Sequence, residues 1–167
     1  PEGTALSTQG TMVVEFSYLG GGSTAGPDSR TAISLDGGAS TERVIIFNNT
    51  SAVGSIVSDS VLQSTILVSG EAAVGAVQKC AVTWKLNDVQ FARNGSHGTR
   101  DGSATMPTLT AVAIGAQSNA QFPGNVLVYA WTISDDHYPT DAGMDALTTP
   151  TTTRNQSRLT LGLGLGL

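Results

Sequence analysis

A polar stretch in the middle of the chain holds the densest group of side chains that could do chemistry. Guanidinium, amide and imidazole groups offer several hydrogen-bond donors and acceptors, which suits the hydroxyls and carboxylates of a ligand. Tyr138, from later in the chain, could add an aromatic surface. We therefore predict a ligand-binding site formed by loops, with these residues as its members: Arg93, Asn94, His97, Arg100, Asp101 and Tyr138.

The acidic residues and histidines form no pattern typical of an enzyme. Glycoside hydrolysis generally needs two carboxylates facing one sugar, and β-sandwich glycanases supply them from alternating acidic positions on one strand. Here Glu15, Glu42 and Glu71 stand alone. No Gly-x-Ser-x-Gly nucleophile motif occurs, and the chain has only two histidines, His97 and His137. We predict a non-catalytic protein.

Acidic and amide side chains near predicted strand ends are potential Ca²⁺ ligands. Ca²⁺ takes about six to eight oxygen ligands from carboxylates, amides and backbone carbonyls. The candidates for such a site are Asp36, Asn48 and Asp135. Since no pair has a diagnostic spacing, we predict no obligatory cofactor and keep Ca²⁺ as an alternative.

The elements that must position these residues read as short strands separated by turn signals. Asn94-Gly95 lies between two apolar runs, and both residues accept the positive φ angles of a tight hairpin turn. Frequent short strands without intervening helices predict an antiparallel β-sandwich or jelly roll. The predicted strands are 11–18, 31–35, 42–47, 51–58, 61–69, 80–86, 89–93, 109–114 and 125–133, with one short helix at 141–147.

The apolar residues of these runs predict the core. We expect the following side chains to be buried: Cys80, Trp84, Leu86, Val89, Phe91, Val112, Ile114 and Trp131. In the first strand, Met12, Val14, Phe16 and Tyr18 should share one face, with Val13, Glu15 and Ser17 on the other.

The overall composition excludes several classes of function. The formal net charge is −5 and only 13% of residues are charged, which argues against a nucleic-acid or anionic-membrane partner. The single cysteine forms no internal disulfide framework, and no apolar run approaches the length of a transmembrane helix. We interpret the initial Pro1 as the start of a segment cut from a longer protein.

The C-terminal end is a leucine-glycine repeat of period two. As a strand it would place Leu159, Leu161, Leu163, Leu165 and Leu167 on one face. An uncovered row of leucines is an aggregation hazard, so something must cover it. One alternative is packing on its own domain. The sharper hypothesis is a tail at 150–167 that docks on another subunit or protein, while 1–149 forms the sandwich.

The order of several short motifs resembles the laminin-G-like, concanavalin A-like domains at the ends of bacteriophage structural proteins. The matching segments are AISLDGG at 32–38, AVTW at 81–84, DVQFARNG at 88–95, MPTLTAVAIG at 106–115, GNVLVYAW at 124–131 and YPTDAGMDALT at 138–148. The resemblance covers roughly residues 10–148. It implies a fold of two curved antiparallel sheets and a role as a receptor-binding, adhesive or structural module of a virion.

Two functions follow from the resemblance, and we keep both. One is adhesion to a host-surface polysaccharide or receptor through the rim loops. The other is capsid decoration or fibre assembly through protein contacts alone, and a glycan depolymerase ranks third. Either way the implied setting is the virion surface, with other virion proteins or like subunits as partners, and we expect a homo-oligomer.

Overall fold

The computed structural model describes residues 8–19, 30–37, 41–48, 52–58, 60–70, 73–116 and 125–150. Of residues 30, 48 and 52–58 it describes the backbone alone. The leucine-glycine repeat therefore lies outside the described residues, and the docking tail remains a prediction.

The described residues form ten strands and one short helix. In chain order they are β1 (Gly10–Tyr18), β2 (Arg30–Asp36), β3 (Arg43–Asn48), β4 (Ala52–Ser58), β5 (Val61–Val68), β6 (Val77–Lys85), β7 (Asp88–Arg93), β8 (Ser96–His97), β9 (Ala111–Ile114), β10 (Val126–Ser134) and α1 (Asp141–Thr148). All predicted strands and the helix are confirmed to within a few residues. The two-residue strand β8 was not predicted from the sequence. It is defined only by its pairing with the end of β7.

The strands form two five-stranded antiparallel sheets packed face to face. The first sheet has the order β10-β1-β6-β7-β8, and the second has the order β5-β4-β3-β2-β9. This confirms the predicted antiparallel β-sandwich. Because side chains alternate across a strand, one face of each sheet supplies the core. From β1 these are Met12, Val14, Phe16 and Tyr18, all nearly or fully buried, which confirms the prediction that they share one face.

The helix covers part of the outer face of the first sheet. Met144 of α1 is fully buried against Ala81 of β6 and Ala92 of β7, which are opposite each other in register. Two alanines side by side leave room for the helix to approach the sheet closely. The helix begins at a cap in which Thr140 Oγ1 accepts a hydrogen bond from the Gly143 backbone N–H at 3.1 Å.

The core prediction is confirmed for most residues of the central strands. Trp84, Val89, Phe91 and Cys80 are all buried. Leu86 is a wrong prediction, because it is exposed. It occupies the two-residue turn between β6 and β7, where Lys85 pairs with Asp88, so its side chain does not lie on a sheet face.

Three more residues that we predicted as core lie on the two edge strands and are about half exposed. Val112 and Ile114 are 40% and 47% exposed, and Trp131 is 47% exposed. Their register partners Leu35, Ile33 and Val14 are core residues, so all three point to the inner side. However, β9 and β10 are each the last strand of the described sheets. A side chain on an edge strand lacks a neighbour on one flank, so among the described residues this edge of the sandwich is open.

Candidate functional site

A groove of about 280 Å³ lies on the outer face of the first sheet. Ten residues line it: Thr11, Val13, Glu15, Lys79, Ala130, Trp131, Thr132, Ser134, Tyr138 and Leu147. The volume is close to the lower end of small-molecule sites, which run from about 300 Å³ upward. Its floor consists of outward-facing positions on β1, β6 and β10, and Tyr138 and Leu147 contribute one wall. Trp131, an inward-pointing residue of the edge strand β10, borders the groove at that strand.

The strand register arranges the floor in rows. Lys79, Glu15 and Ala130 stand side by side on β6, β1 and β10. Two residues further along, Val13 stands opposite Thr132, and beyond it Thr11 stands opposite Ser134. One end of the groove is therefore charged, the middle is largely apolar, and the other end carries hydroxyls. The two ends are four residues apart along β1, or roughly 13 Å at the rise of a strand.

A β-bulge brings the residues of β10 into this arrangement. Glu15 pairs with Ala130 but the next residue, Phe16, pairs with Val128, so Tyr129 is an extra residue on β10. The bulge shifts the alternation of β10, which places Ala130, Thr132 and Ser134 on the same outer face as Glu15. Tyr129 reaches its neighbour strand through a 3.0 Å hydrogen bond between its hydroxyl and Ser17 Oγ.

The wall at Tyr138 is held by hydrogen bonds between hydroxyls and backbone. The Tyr138 backbone N–H donates to Thr83 Oγ1 at 3.0 Å. Thr83 is fully buried, and its hydroxyl lies 2.9 Å from that of Thr11. Thr11 Oγ1 also lies 2.6 Å from the Asp136 carbonyl oxygen, to which it donates. The segment that follows β10 is thus fixed against the sheet, and it presents Tyr138 to the groove.

Two of the predicted ligand-binding residues, His97 and Arg100, contact the helix, and their binding role remains a prediction. His97 Nδ1 lies 2.9 Å from an Asp145 carboxylate oxygen. Arg100 Nε donates to Asp141 Oδ1 at 3.0 Å, and its guanidinium also bonds to Asp88. A hydrogen bond from Gln90 lowers the pKa of Asp141; burial opposes this shift, and a hydrogen bond from Arg100 adds to it. These contacts tie the loop after β8 to α1, the element that contributes Leu147 to the groove.

Arg93 and Asn94 form a second, separate group around Gln78. Arg93 Nε donates to Gln78 Oε1 at 2.6 Å, and Arg93 also bonds to the Gly70 carbonyl, which follows β5 in the other sheet. Asn94 has a φ of 49°, and its Oδ1 accepts a hydrogen bond from the Lys79 backbone N–H at 2.8 Å. Asn94 therefore holds the hairpin against β6, whereas Arg93 also links the two sheets, and the binding role of both residues remains a prediction.

Asp101 lies apart from both groups. Its backbone pairs with Val89, and its carboxylate accepts hydrogen bonds from the Ser103 backbone and hydroxyl at 2.9 and 2.8 Å. Partial burial would raise the pKa of Asp101, but hydrogen bonds from Ser103 and Ser64 outweigh it and lower that pKa. Of the six predicted ligand-binding residues, Tyr138 is the one that lines the groove.

The predicted Ca²⁺ ligands occupy different places. Asp36 is buried in β2, where it pairs with Arg43 and accepts a hydrogen bond from Ser34 Oγ at 3.3 Å. Asp135 is exposed after β10, and the side chain of Asn48 is outside the described part. The described residues contain no group of three or more His, Cys, Asp or Glu side chains able to hold a metal ion. Within the same ranges, no helix has the length and hydropathy of a membrane crossing.

Sequence reasoning missed the floor of the groove. Glu15, Lys79, Thr132 and Ser134 each stand at an outward position of a strand, which is the ordinary place for a solvated polar residue. Their alternation with apolar residues was visible, and it could have identified the outer face. What joins them is the register between β1, β6 and β10, together with the bulge, and neither is encoded locally.

Solved structures of other proteins share this architecture. The carbohydrate-binding module CBM40 of the Ruminococcus gnavus IT-sialidase superposes with a TM-score of 0.62 at 15% identity, covering 84% of this chain and 82% of that one. A native heptameric SAP-like pentraxin from Limulus polyphemus gives a TM-score of 0.60 at 12% identity, over 84% of this chain and 69% of its own. The carbohydrate-binding module CBM66 from Bacillus subtilis gives 0.54 at 4% identity, with 78% and 76% covered.

These likenesses establish the fold, a β-sandwich of the concanavalin A-like kind, and at such low identity they establish the fold alone. The R. gnavus module has also been solved bound to α2,3- and α2,6-sialyllactose. By sequence, no family model and no curated protein matches the chain.

Proposed function

We propose that this protein is a non-catalytic carbohydrate-binding module whose ligand occupies the groove on the outer face of the first sheet. The observation that carries the proposal is the make-up of the groove, with an apolar middle, polar ends and Tyr138 in the wall. A pyranose ring has C–H groups on its faces and hydroxyls around its rim, so it matches such a surface. Sandwiches of the same fold include carbohydrate-binding modules, which supports the proposal.

We propose binding rather than cleavage because of the charges in the groove. Glu15 is the sole carboxylate among the ten lining residues. Glycosidases generally place two carboxyl groups about 5–10 Å apart across the scissile bond. Glu15 is better suited to accept hydrogen bonds from sugar hydroxyls, and Lys79 to donate them.

A substitution that fills the groove tests the proposal. Ala130 is exposed on β10 and points into the groove, so Ala130→Phe should occupy the ligand's space without disturbing the core. An aromatic residue is well tolerated on a strand. Leu127→Phe is the matched control, because Leu127 is exposed on the same strand and outside the groove. Glycan-array screening followed by calorimetric titration should show loss of binding for Ala130→Phe only.

The same experiment separates the groove from the rim loop that the sequence predicts. If Arg100→Ala abolishes glycan binding while Ala130→Phe leaves it intact, the ligand binds at the loop and the groove proposal is wrong. Circular dichroism should accompany Arg100→Ala, because this arginine also holds α1 through Asp141. A folded Arg100→Ala variant with normal affinity supports the groove.

For the biological setting, we propose from the resemblance that the module stands on a bacteriophage virion and meets host-surface polysaccharide. The open edge formed by Val112, Ile114 and Trp131 favours a second candidate, assembly with other virion proteins or like subunits. Removal of residues 151–167 tests whether the tail contributes to assembly. Sedimentation velocity should show a smaller assembly for the shortened chain than for the full chain, and equal assembly states would contradict docking by the tail.

A further inference from the structure

The charges of the groove allow its ligand class to be narrowed, given the proposed function. Glu15 and Lys79 are the two charged residues among the ten that line it, so the formal charge of the lining is zero. They are direct register partners on β1 and β6. Side chains that stand opposite each other on antiparallel strands have Cβ atoms about 5 Å apart. A ligand group that reaches Lys79 therefore also comes close to the carboxylate of Glu15.

The surroundings of the groove add negative rather than positive charge. At its hydroxyl end, Ser134 is followed by Asp135 and Asp136, which are both exposed. Two arginines have partners outside the groove lining: Arg100 bonds to Asp88 and Asp141 as well as to the Tyr138 carbonyl, and Arg93 bonds to Gln78 and Gly70. Lys85, further along β6, is the register partner of Asp88. The whole chain carries a formal charge of −5. No cation near the described groove is thus in excess of the acids around it.

We infer that the groove selects neutral glycans and discriminates against those that carry a carboxylate or a sulfate, and that Glu15 is the residue that determines this specificity. A neutral hydroxyl donates to Glu15 and accepts from Lys79, so both members of the pair are used. An anionic sugar substituent gains one attraction at Lys79 but meets repulsion from Glu15 at a similar distance. In this respect the groove differs from a module that binds sialyllactose.

The test compares glycans that share a core and differ in charge. Lactose, 3′-sialyllactose and lactose 3′-sulfate, together with cellobiose and cellobiuronic acid, are titrated into the full chain. Binding is followed by two-dimensional NMR and calorimetry. We expect the neutral sugars to bind at least about tenfold more tightly than their charged counterparts, a difference of about 1.4 kcal/mol. The resonances that shift should include Glu15, Lys79 and Thr132.

Glu15→Gln removes the charge of Glu15 and keeps its size. This variant should reduce the ratio of the affinity for neutral glycans to the affinity for anionic glycans at least about threefold. The reason is that the repulsion from Glu15 is local and only partly screened. Asp135→Asn is the matched control, with the same change in net charge at an exposed carboxylate that does not line the groove. It should leave the ratio within about twofold, as expected for a screened surface charge.

The outcomes distinguish this inference from the proposed function. Anionic glycans that bind in the groove as tightly as neutral ones, or more tightly, would overturn the inference and leave the proposed function standing. A neutral preference that Glu15→Gln does not change would overturn the role of Glu15. If no glycan of either class shifts the groove resonances, the proposed function itself fails.

Discussion

Gly98 is the position where the loop after β8 closes against the second sheet, and it should not tolerate a side chain. A Cβ at this position would stand 2.7 Å from the Leu67 carbonyl oxygen of β5 and would also collide with Ile66 Cγ2. Ile66 is only 3% exposed, so it cannot swing into solvent. The loop cannot move away easily either, because the Gly98 backbone N–H donates to the Phe91 carbonyl at 3.0 Å.

The expected cost of Gly98→Ala follows from these contacts. Adding a methyl group to a tightly packed site costs about 1–3 kcal/mol. Two contacts shorter than 3 Å place the packing cost in the upper half of that range, about 2–3 kcal/mol. Alanine also lowers the conformational entropy of the unfolded chain, which offsets about 0.4–1 kcal/mol of this packing cost. The net loss in the free energy of unfolding should therefore be about 1–2.5 kcal/mol. For a chain of this length that lowers Tm by about 2–10 °C.

Gly102→Ala in the same loop is the control. The nearest atom to a Cβ at Gly102 is the Asn87 carbonyl oxygen at 3.8 Å, an ordinary van der Waals contact. Neither glycine has a φ in the left-handed region, so the two substitutions differ in space alone. Equilibrium urea denaturation should give Gly102→Ala a stability equal to that of the wild type or higher by up to about 1 kcal/mol, because the restriction of the unfolded chain meets no clash here. Equal stabilities for the two variants would refute the claim that the loop at Gly98 packs tightly against β5.

Three further predictions concern single side chains. Asn94→Ala should destabilise the protein by about 1–3 kcal/mol, because it loses the hydrogen bond to the Lys79 backbone and forces alanine into a positive φ. Asn94→Gly, which accepts that φ, should cost less in the same urea experiment, and the reverse order would contradict a turn role. Burial raises the pKa of the Cys80 thiol to about 12, so Ellman's reagent should label it only in urea, and rapid labelling of the native protein would contradict its burial. Burial lowers the pKa of His137 below its ordinary value of 6.5, with Asp88 opposing the shift, so the folded state takes up this proton less readily than the unfolded one. The free energy of unfolding should therefore fall as the pH drops below about 6.5. In thermal melts across this pH range, His137→Asn should lose less stability than the wild type. Coincident pH profiles for the two proteins would show that His137 does not cause the fall.

Much of the fold follows from local features of the chain. In β1, apolar and polar residues alternate with the two-residue period of a strand, and the burial of Met12, Val14, Phe16 and Tyr18 confirms this reading. Asn94-Gly95 marks the hairpin because both residues have positive φ angles, 49° and 80°. Such preferences act over a few residues, so they are visible in the sequence. They identified the strands, the helix and the antiparallel class.

The exposure of individual apolar residues was less predictable. Trp84 and Trp131 both stand in the middle of apolar strands, yet one is 2% exposed and the other 47%. The difference is that β6 lies inside its sheet and β10 lies at the edge. Strand order results from pairing between distant segments, so the residues next to each tryptophan in the sequence do not indicate it.

The candidate site was decided by tertiary structure almost entirely. The sequence by itself determined which side chains are available, including Tyr138, Glu15 and Lys79, and which residues of β1 share a face. The register of β6, β1 and β10 then placed the two charges opposite each other, and the bulge at Tyr129 turned Ala130 and Thr132 toward them. The polar loop that drew attention in the sequence was instead bonded to α1 and to Gln78. Hydrogen bonds between strands and the burial of a helix act across tens of residues, and for that reason only the folded chain shows which polar groups remain to face a ligand.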